Sequence, residues 1–478
     1  MRRTAARTAL AGAVAAALLM GSGCATYTAR MADLRPELAA GDFEGALATL
    51  EDRQGGKEML LYWLERGLVL HYADRWQESN EAFAAAERTG EELYSRSLSE
   101  AALSLVTSDE SISYRARPFE MAMIPYYRAM NYVYLGERES ALVEARKASL
   151  LMARYVDASV QGLDGEAVDA LERTRNDPFL LYLSGMLYDW DGELNDAFIA
   201  YRNAAAAYAA GAELLSVEIP PTLATDLDRT AARLGFAADL EQIRAAHPEV
   251  FAAAARDPAA AAWPAGHGQV VLLLETSYVP QKTQTRVDVP IFKGEAYGDT
   301  DRRAAEMAAG LHDMRGYVKG RDVAYWLAIT LPELPQQAGD IHGARVSATA
   351  AGAHVRTCRA ANLEAMTRIT FAAEYGKVLV KTIARGLTKY LATRQVARSE
   401  SWLGTVVNIV GAATERADTR AWLTLPRTID IARLTLPAGS YDLEVELVDA
   451  AGRSLGRHTV PDVRVRAGDW TFLNHRVF

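Results

Sequence analysis

The sequence predicts an α+β multidomain chain: an α-solenoid of helical repeats, then a β-sandwich-like domain with a helical insert. Three observations carry this. Small and aromatic residues recur at fixed offsets between Gly41 and Ala204. An Ala- and Pro-rich stretch closes the helical half at 253–268. Strict alternation then marks Tyr441–Val448 as a half-buried strand. The boundaries follow: 1–23 a signal peptide, 24–252 the repeats, 253–268 the linker, 269–478 the β-rich domain with its insert at about 362–413.

The first segment is a targeting signal. Arg2, Arg3 and Arg7 precede an apolar run from Ala9 to Met20, which is too short to span a bilayer. Gly21, Ser22 and Gly23 lead into Cys24. Small residues before a cysteine resemble a lipobox, although Gly21 stands where Leu is usual and Leu19 lies two places early. The expectation is a lipid on Cys24, with two or three acyl chains giving stable anchoring. Ala25 rather than Asp points to the outer membrane, facing the periplasm. The chain has 2 cysteines, so Cys358 is expected to be a small buried hydrophobe and not half of a disulfide. The longest later apolar run, Trp402–Ala413, is also too short to span.

The repeats show three frames. Gly67 is followed by Leu70, Trp76, Phe83 and Ala86. Ala129 is followed by Tyr132, Gly136, Ala141 and Ala148. Gly185 is followed by Tyr188, Gly192, Ala197, Tyr201 and Ala204. Small residues let two antiparallel helices approach, and the aromatic fills the groove between them. Gly41, Asp74, Gly136 and Gly192 stand where the chain must reverse. These offsets match the tetratricopeptide repeat of about 34 residues. The frames lie further apart than one repeat, so extra helices are expected, Glu91–Val106 among them. Stacked pairs present a concave surface. Its candidate partner-lining residues are Tyr126, Tyr127, Tyr132 and Tyr188.

Several segments then resemble an uncharacterised family of bacterial lipoproteins with tetratricopeptide repeats. They are Pro118–Tyr132, Tyr134–Gly136, Ala141–Arg146, Asn176–Phe179, Tyr182–Gly185 and Asp418–Trp422 with Leu425 and Pro426. The resemblance implies no catalytic residues. Some such proteins are encoded beside lipoproteins similar to activators of penicillin-binding proteins.

In the second half, Val270–Glu275 and Val323–Leu331 read as buried strands. In Tyr441–Val448 the residues Tyr441, Leu443, Val445 and Leu447 share one face, and Asp442, Glu444 and Glu446 the other. Val463 and Val465 alternate with Arg464 and Arg466. Met366–Arg394 is helical, with an apolar stripe at Leu379, Ile383, Leu387 and Leu391. A parallel stripe of Lys377, Lys381, Arg385 and Lys389 reads as a solvated face, or as a contact for anionic lipid or an acidic partner.

Composition narrows the function. A net charge of -9 argues against a general nucleic-acid binder. Gly452-Arg-Ser-Leu-Gly456 fits a hydrolase pattern, but its strand-like flanks point to a hairpin turn around Ser454. His-Glu-x-x-His, paired-cysteine, Ser-x-x-Lys and phosphate-loop motifs are absent, so no catalytic residue, metal or cofactor is expected. Asp418 and Arg420 beside Trp422 read as an ion pair and packing anchor. The expected function is non-enzymatic: an anchored scaffold that binds another envelope protein in peptidoglycan synthesis or envelope maintenance. The alternative is a protein that binds or modifies the cell wall through its β-domain.

Overall fold

Among the described residues of the computed structural model, helices predominate as far as residue 254 and all the strands lie from residue 267 onward. It describes residues 26–51, 55–95, 112–163, 165–254, 263–336, 339–397 and 416–478. The helices run mostly in pairs. First come α1 (Leu34–Ala39) with α2 (Phe43–Glu51) and α3 (Met59–Tyr72) with α4 (Trp76–Ser95). Next are α5 (Pro118–Leu135) with α6 (Arg138–Ser159), then the short α7 (Gly165–Glu172). α8 (Pro178–Asp191) pairs with α9 (Leu194–Leu215), and α10 (Pro221–Leu234), α11 (Ala237–Ala246) and α12 (Pro248–Ala254) follow.

Turn chemistry sets this pairing. Gly41, Asp74, Gly136 and Gly192 have φ of 73°, 58°, 75° and 89°, the left-handed conformation that ends a helix. Asp177 caps α8 by accepting the Leu180 N–H at 3.0 Å, and Pro178 takes the first helical position, where no N–H is needed. In the two frames that open on glycine, the aromatic lies on that glycine. A Cβ on Gly67 would lie 2.7 Å from Phe83, and one on Gly185 2.5 Å from Tyr201. Only the start of the interposed helix expected over Glu91–Val106 falls on described residues. Glu91–Ser95 prolongs α4, and the rest of that span lies outside the described residues. Between α6 and α8, the interposed element is α7.

The strands are β1 (His267–Thr276), β2 (Thr283–Phe292), β3 (Val323–Glu333), β4 (Ala344–Ala348), β5 (Ala353–Arg356), β6 (Cys358–Asn362), β7 (Thr428–Pro437), β8 (Gly439–Val448), β9 (Ser454–Val465) and β10 (Trp470–Val477). One sheet has the order β10-β1-β7-β6, with β1 parallel to β10 and antiparallel to β7. A second, β5-β4-β8-β9, packs on it around Val270, Leu272, Leu274, Leu434, Val346, Leu443, Val445 and Leu447. The alternation at Tyr441–Val448 thus sends its apolar residues inward, as its period requires. The two strands β2 and β3 form a third layer with α13 (Thr300–Gly310) and α14 (Leu363–Ala397), and Leu379, Ile383 and Leu387 are in its core. The sequence reading found β3 and α14 in this layer but not β2 or α13.

The first sheet is buried on both faces. Val270, Leu272 and Leu274 of β1 face the second sheet, whereas Val271 and Leu273 join the core of the helices. That helical core also takes in Ile429, Ile431, Trp470 and Phe472. One continuous core therefore runs from the helices into the sheet, and residues 253–268 separate stretches of chain that pack together.

Gly185→Ala tests the pairing. Alanine gains up to about 1 kcal/mol of helix propensity, but overpacking against Tyr201 costs about 1–3 kcal/mol. Urea unfolding should show net destabilisation, relieved when Tyr201→Leu is added.

Candidate functional site

The helix-facing side of the first sheet carries polar groups in an otherwise apolar interface. Glu275 of β1 is fully buried. It accepts hydrogen bonds from Tyr126 Oη at 2.7 Å, Tyr127 Oη at 3.4 Å and Tyr72 Oη. Asn474, the neighbour of Leu273 on β10, donates to it at 3.4 Å. Asn474 also donates its backbone N–H to Tyr134 Oη at 2.7 Å, and its amide meets His71 Nε2 at 2.5 Å. His71 Nδ1 lies 2.6 Å from Asn131 Oδ1, so Nδ1 carries the proton and Nε2 accepts. Burial lowers the His71 pKa, which keeps the ring neutral. At the other end of the interface, Arg433 of β7 donates to Asp226 of α10 at 2.5 Å.

A second set of contacts holds an extended segment of the chain's own backbone. Glu120 of α5 accepts the Trp422 N–H at 3.0 Å, and Glu65 of α3 accepts those of Leu423 at 2.6 Å and Thr424 at 3.2 Å. Trp422 is fully buried, 5.9 Å from Phe83 and 6.2 Å from Tyr127 between ring centroids. Asp418 and Arg420 form the expected ion pair, with contacts of 2.7 and 2.8 Å, and Arg420 also donates to the Ile112 carbonyl at 2.9 Å. The helices thus hold residues 418–425 through their side chains.

An open concavity remains where the helices, the end of β10 and β9 meet. It is a cleft of about 1430 Å³. Its aromatic lining includes Tyr72, Trp76, Tyr134, Tyr278 and Phe478, and its charged lining is Arg35, Arg427 and Arg476 against Asp74 and Asp340. Trp76 Nε1, His475 Nε2 and Arg476 Nε belong to this lining and are buried without a hydrogen-bond partner. Buried polar atoms are nearly always paired, so three exceptions in the walls of one cleft set these walls apart from the rest of the interior. The His475 and His458 rings lie 5.8 Å apart, and burial followed by repulsion from His458 lowers the His475 pKa. Among the described residues, no group of His, Cys, Asp and Glu is placed to hold a metal ion. No protein-family model matches the chain, and no curated protein matches it.

The four tyrosines expected to line one groove do not share one. Tyr126 and Tyr127 are buried under the chain's own sheet, with their hydroxyls spent on Glu275. Tyr132 packs under Arg128, and Tyr188 receives a hydrogen bond from Arg146 at 3.1 Å. The basic stripe also needs correction. Lys377 is exposed and Lys381 and Lys389 are half-buried, but Arg385 is 2% exposed. The helix α14 packs against α7 as well as α13 and β3. Cys358 is buried 3.6 Å from the Glu218 carbonyl, and burial pushes its thiol pKa up. Gly452, with φ 76°, belongs to the turn between β8 and β9, and Ser454 pairs with Val448. Cys24 and Trp402–Ala413 lie outside the described residues, and none of the helices described is long and apolar enough to cross a membrane.

The segment clamp has a pH signature. Burial raises the Glu65 pKa from 4.5 to about 7, even with three hydrogen bonds pulling it down. The folded chain therefore holds a proton that the unfolded chain releases above pH 4.5, and this contribution to stability is lost as pH rises from 4.5 to 7. Relative to Glu65→Gln, the wild type should lose roughly 3 kcal/mol across that window. Urea unfolding at both ends of the window measures this, and a constant difference between the proteins would refute it.

Proposed function

We propose that this chain is a lipid-anchored, non-catalytic binding protein of the bacterial cell envelope, held in the outer membrane through Cys24. Its tetratricopeptide-like helix pairs are a scaffold, and its partner is another envelope protein. The observation that carries this reading is the open cleft at the junction of helices and strands, with its aromatic walls and unpaired buried nitrogens. The inner side of the repeats is taken by the chain's own sheet and by residues 418–425, so the partner engages the junction and not the groove. Peptidoglycan is the second reading, favoured by the aromatic rings that line the cleft.

Photo-crosslinking in native membranes tests the proposal. A crosslinker replacing Leu455, which lines the cleft and is 46% exposed, should yield one defined protein adduct. One replacing Leu150, which is 70% exposed on α6 and is not part of the lining, should not. Cys24→Ala should release the chain from the membrane fraction and abolish the adduct. Equal labelling from both positions would remove the cleft from the mechanism.

A further inference from the structure

We propose that the face of the fold around Thr26 lies directly on the bilayer and meets anionic lipid headgroups there. The inference rests on the reading of Cys24 as the lipid anchor and names the surface that the anchor turns toward the membrane.

The fold begins almost at the anchor. Tyr27, three positions after Cys24, is 1% exposed and belongs to the core of the helices. It opens the one-turn helix Tyr27–Arg30, which Thr26 caps by accepting the Ala29 N–H at 3.4 Å. Arg30 pairs with Glu58, and Thr28 Oγ1 donates to Thr419 Oγ1 at 3.5 Å. The chain is therefore tied down from residue 26 onward. From Cys24 to Thr26 the backbone spans at most about 7 Å, even fully extended. The headgroup zone on each side of a bilayer is itself roughly 5–8 Å deep. A lipid on Cys24 thus leaves no slack that would let the fold stand clear of the surface.

The surroundings of Thr26 are basic. Glu58 brings in Lys57, whose carbonyl accepts the Tyr114 N–H at 2.8 Å. Arg420, next to Thr419, donates to the Ile112 carbonyl at 2.9 Å. Residues 26–30, 57–58, 112–117 and 416–420 are joined in this way, and they carry six basic side chains against two acidic ones, Glu58 and Asp418. Adding Glu374, which pairs with Arg117, still leaves an excess of positive charge, in a chain whose net charge is -9. Lys57 and Arg115 are exposed, and Arg416 is half-buried. Basic side chains at a membrane surface are drawn to anionic headgroups, over no more than a Debye length. The excess therefore lies where such an attraction can act.

Other occupants fit less well. An acidic protein would have to enter between this face and the lipid, and the two-residue reach leaves no room for one. A second copy would oppose the same basic patch across a two-fold axis and meet its own charge.

The test takes the full chain purified from membranes and reconstitutes it in vesicles of phosphatidylethanolamine with phosphatidylglycerol, or of phosphatidylcholine. A fluorophore is placed at Ala29→Cys on the proposed face, or at Thr459→Cys on β9; both positions are exposed. Quenching by a nitroxide on the lipid headgroup is then read. On the anionic vesicles we expect quenching at Ala29→Cys to exceed that at Thr459→Cys at least about fivefold. Lys57→Glu with Arg115→Glu should cut it by about half or more at low salt, but not on phosphatidylcholine. Lys57→Gln with Arg115→Gln should act in the same direction and more weakly, so the result does not hang on whether the doubly reversed chain folds. Equal quenching on both kinds of vesicle, unmoved by either pair of substitutions, would overturn headgroup recognition. No quenching at Ala29→Cys, with the chain still floating with the vesicles, would overturn the proposal, leave the anchor intact and give the patch to an acidic protein. Quenching that fades as the protein-to-lipid ratio rises would give the face to a second copy and overturn it too. A chain that carries no acyl mass on Cys24 and does not float would overturn both this inference and the reading of the anchor.

Discussion

Everything else in the structure depends on a helix layer that buries its inner face against β1. That strand is apolar on both sides, and its one buried carboxylate, Glu275, lies on the helix side among the tyrosines. A slip of one residue would carry Glu275 into the core between the two sheets, which is lined by Val270, Leu272, Leu434 and Val445. An ionised carboxylate left there without donors is strongly disfavoured. The hydroxyls of Tyr72, Tyr126 and Tyr127 therefore fix the strand's register as well as hold the two halves together. Asp226 with Arg433 plays a similar part at the far end of the interface.

The carboxylates of Glu65 and Glu120 extend the same logic to a segment without regular structure. Backbone N–H groups in a buried extended stretch need acceptors, and the helix side chains provide them at Trp422, Leu423 and Thr424. Trp422 fills the space between Phe83 and Tyr127, aromatics that would otherwise face an open groove. The helix pairs thus act as an internal cradle. Their concavity is satisfied within the chain, and open space is left at the seam where cradle and strands meet.

Local patterns were legible in the sequence because they depend on neighbours along the chain. The reversals at Gly41, Asp74, Gly136 and Gly192 follow from backbone freedom, and the alternation at Tyr441–Val448 follows from the pleat. The role of Tyr126 was not legible, because a core tyrosine and a ligand-binding tyrosine look alike in sequence. Its partner Glu275 lies 149 positions away. Arg385 shows the same limit: four-residue spacing names a helix face, but only tertiary packing says which of its residues are buried. The cleft had still less signal, since its lining comes from residues near 40, 75, 134, 278, 340, 458 and 475. The one sequence hint was the Gly452–Gly456 pattern, which marks the turn into β9 rather than a nucleophile.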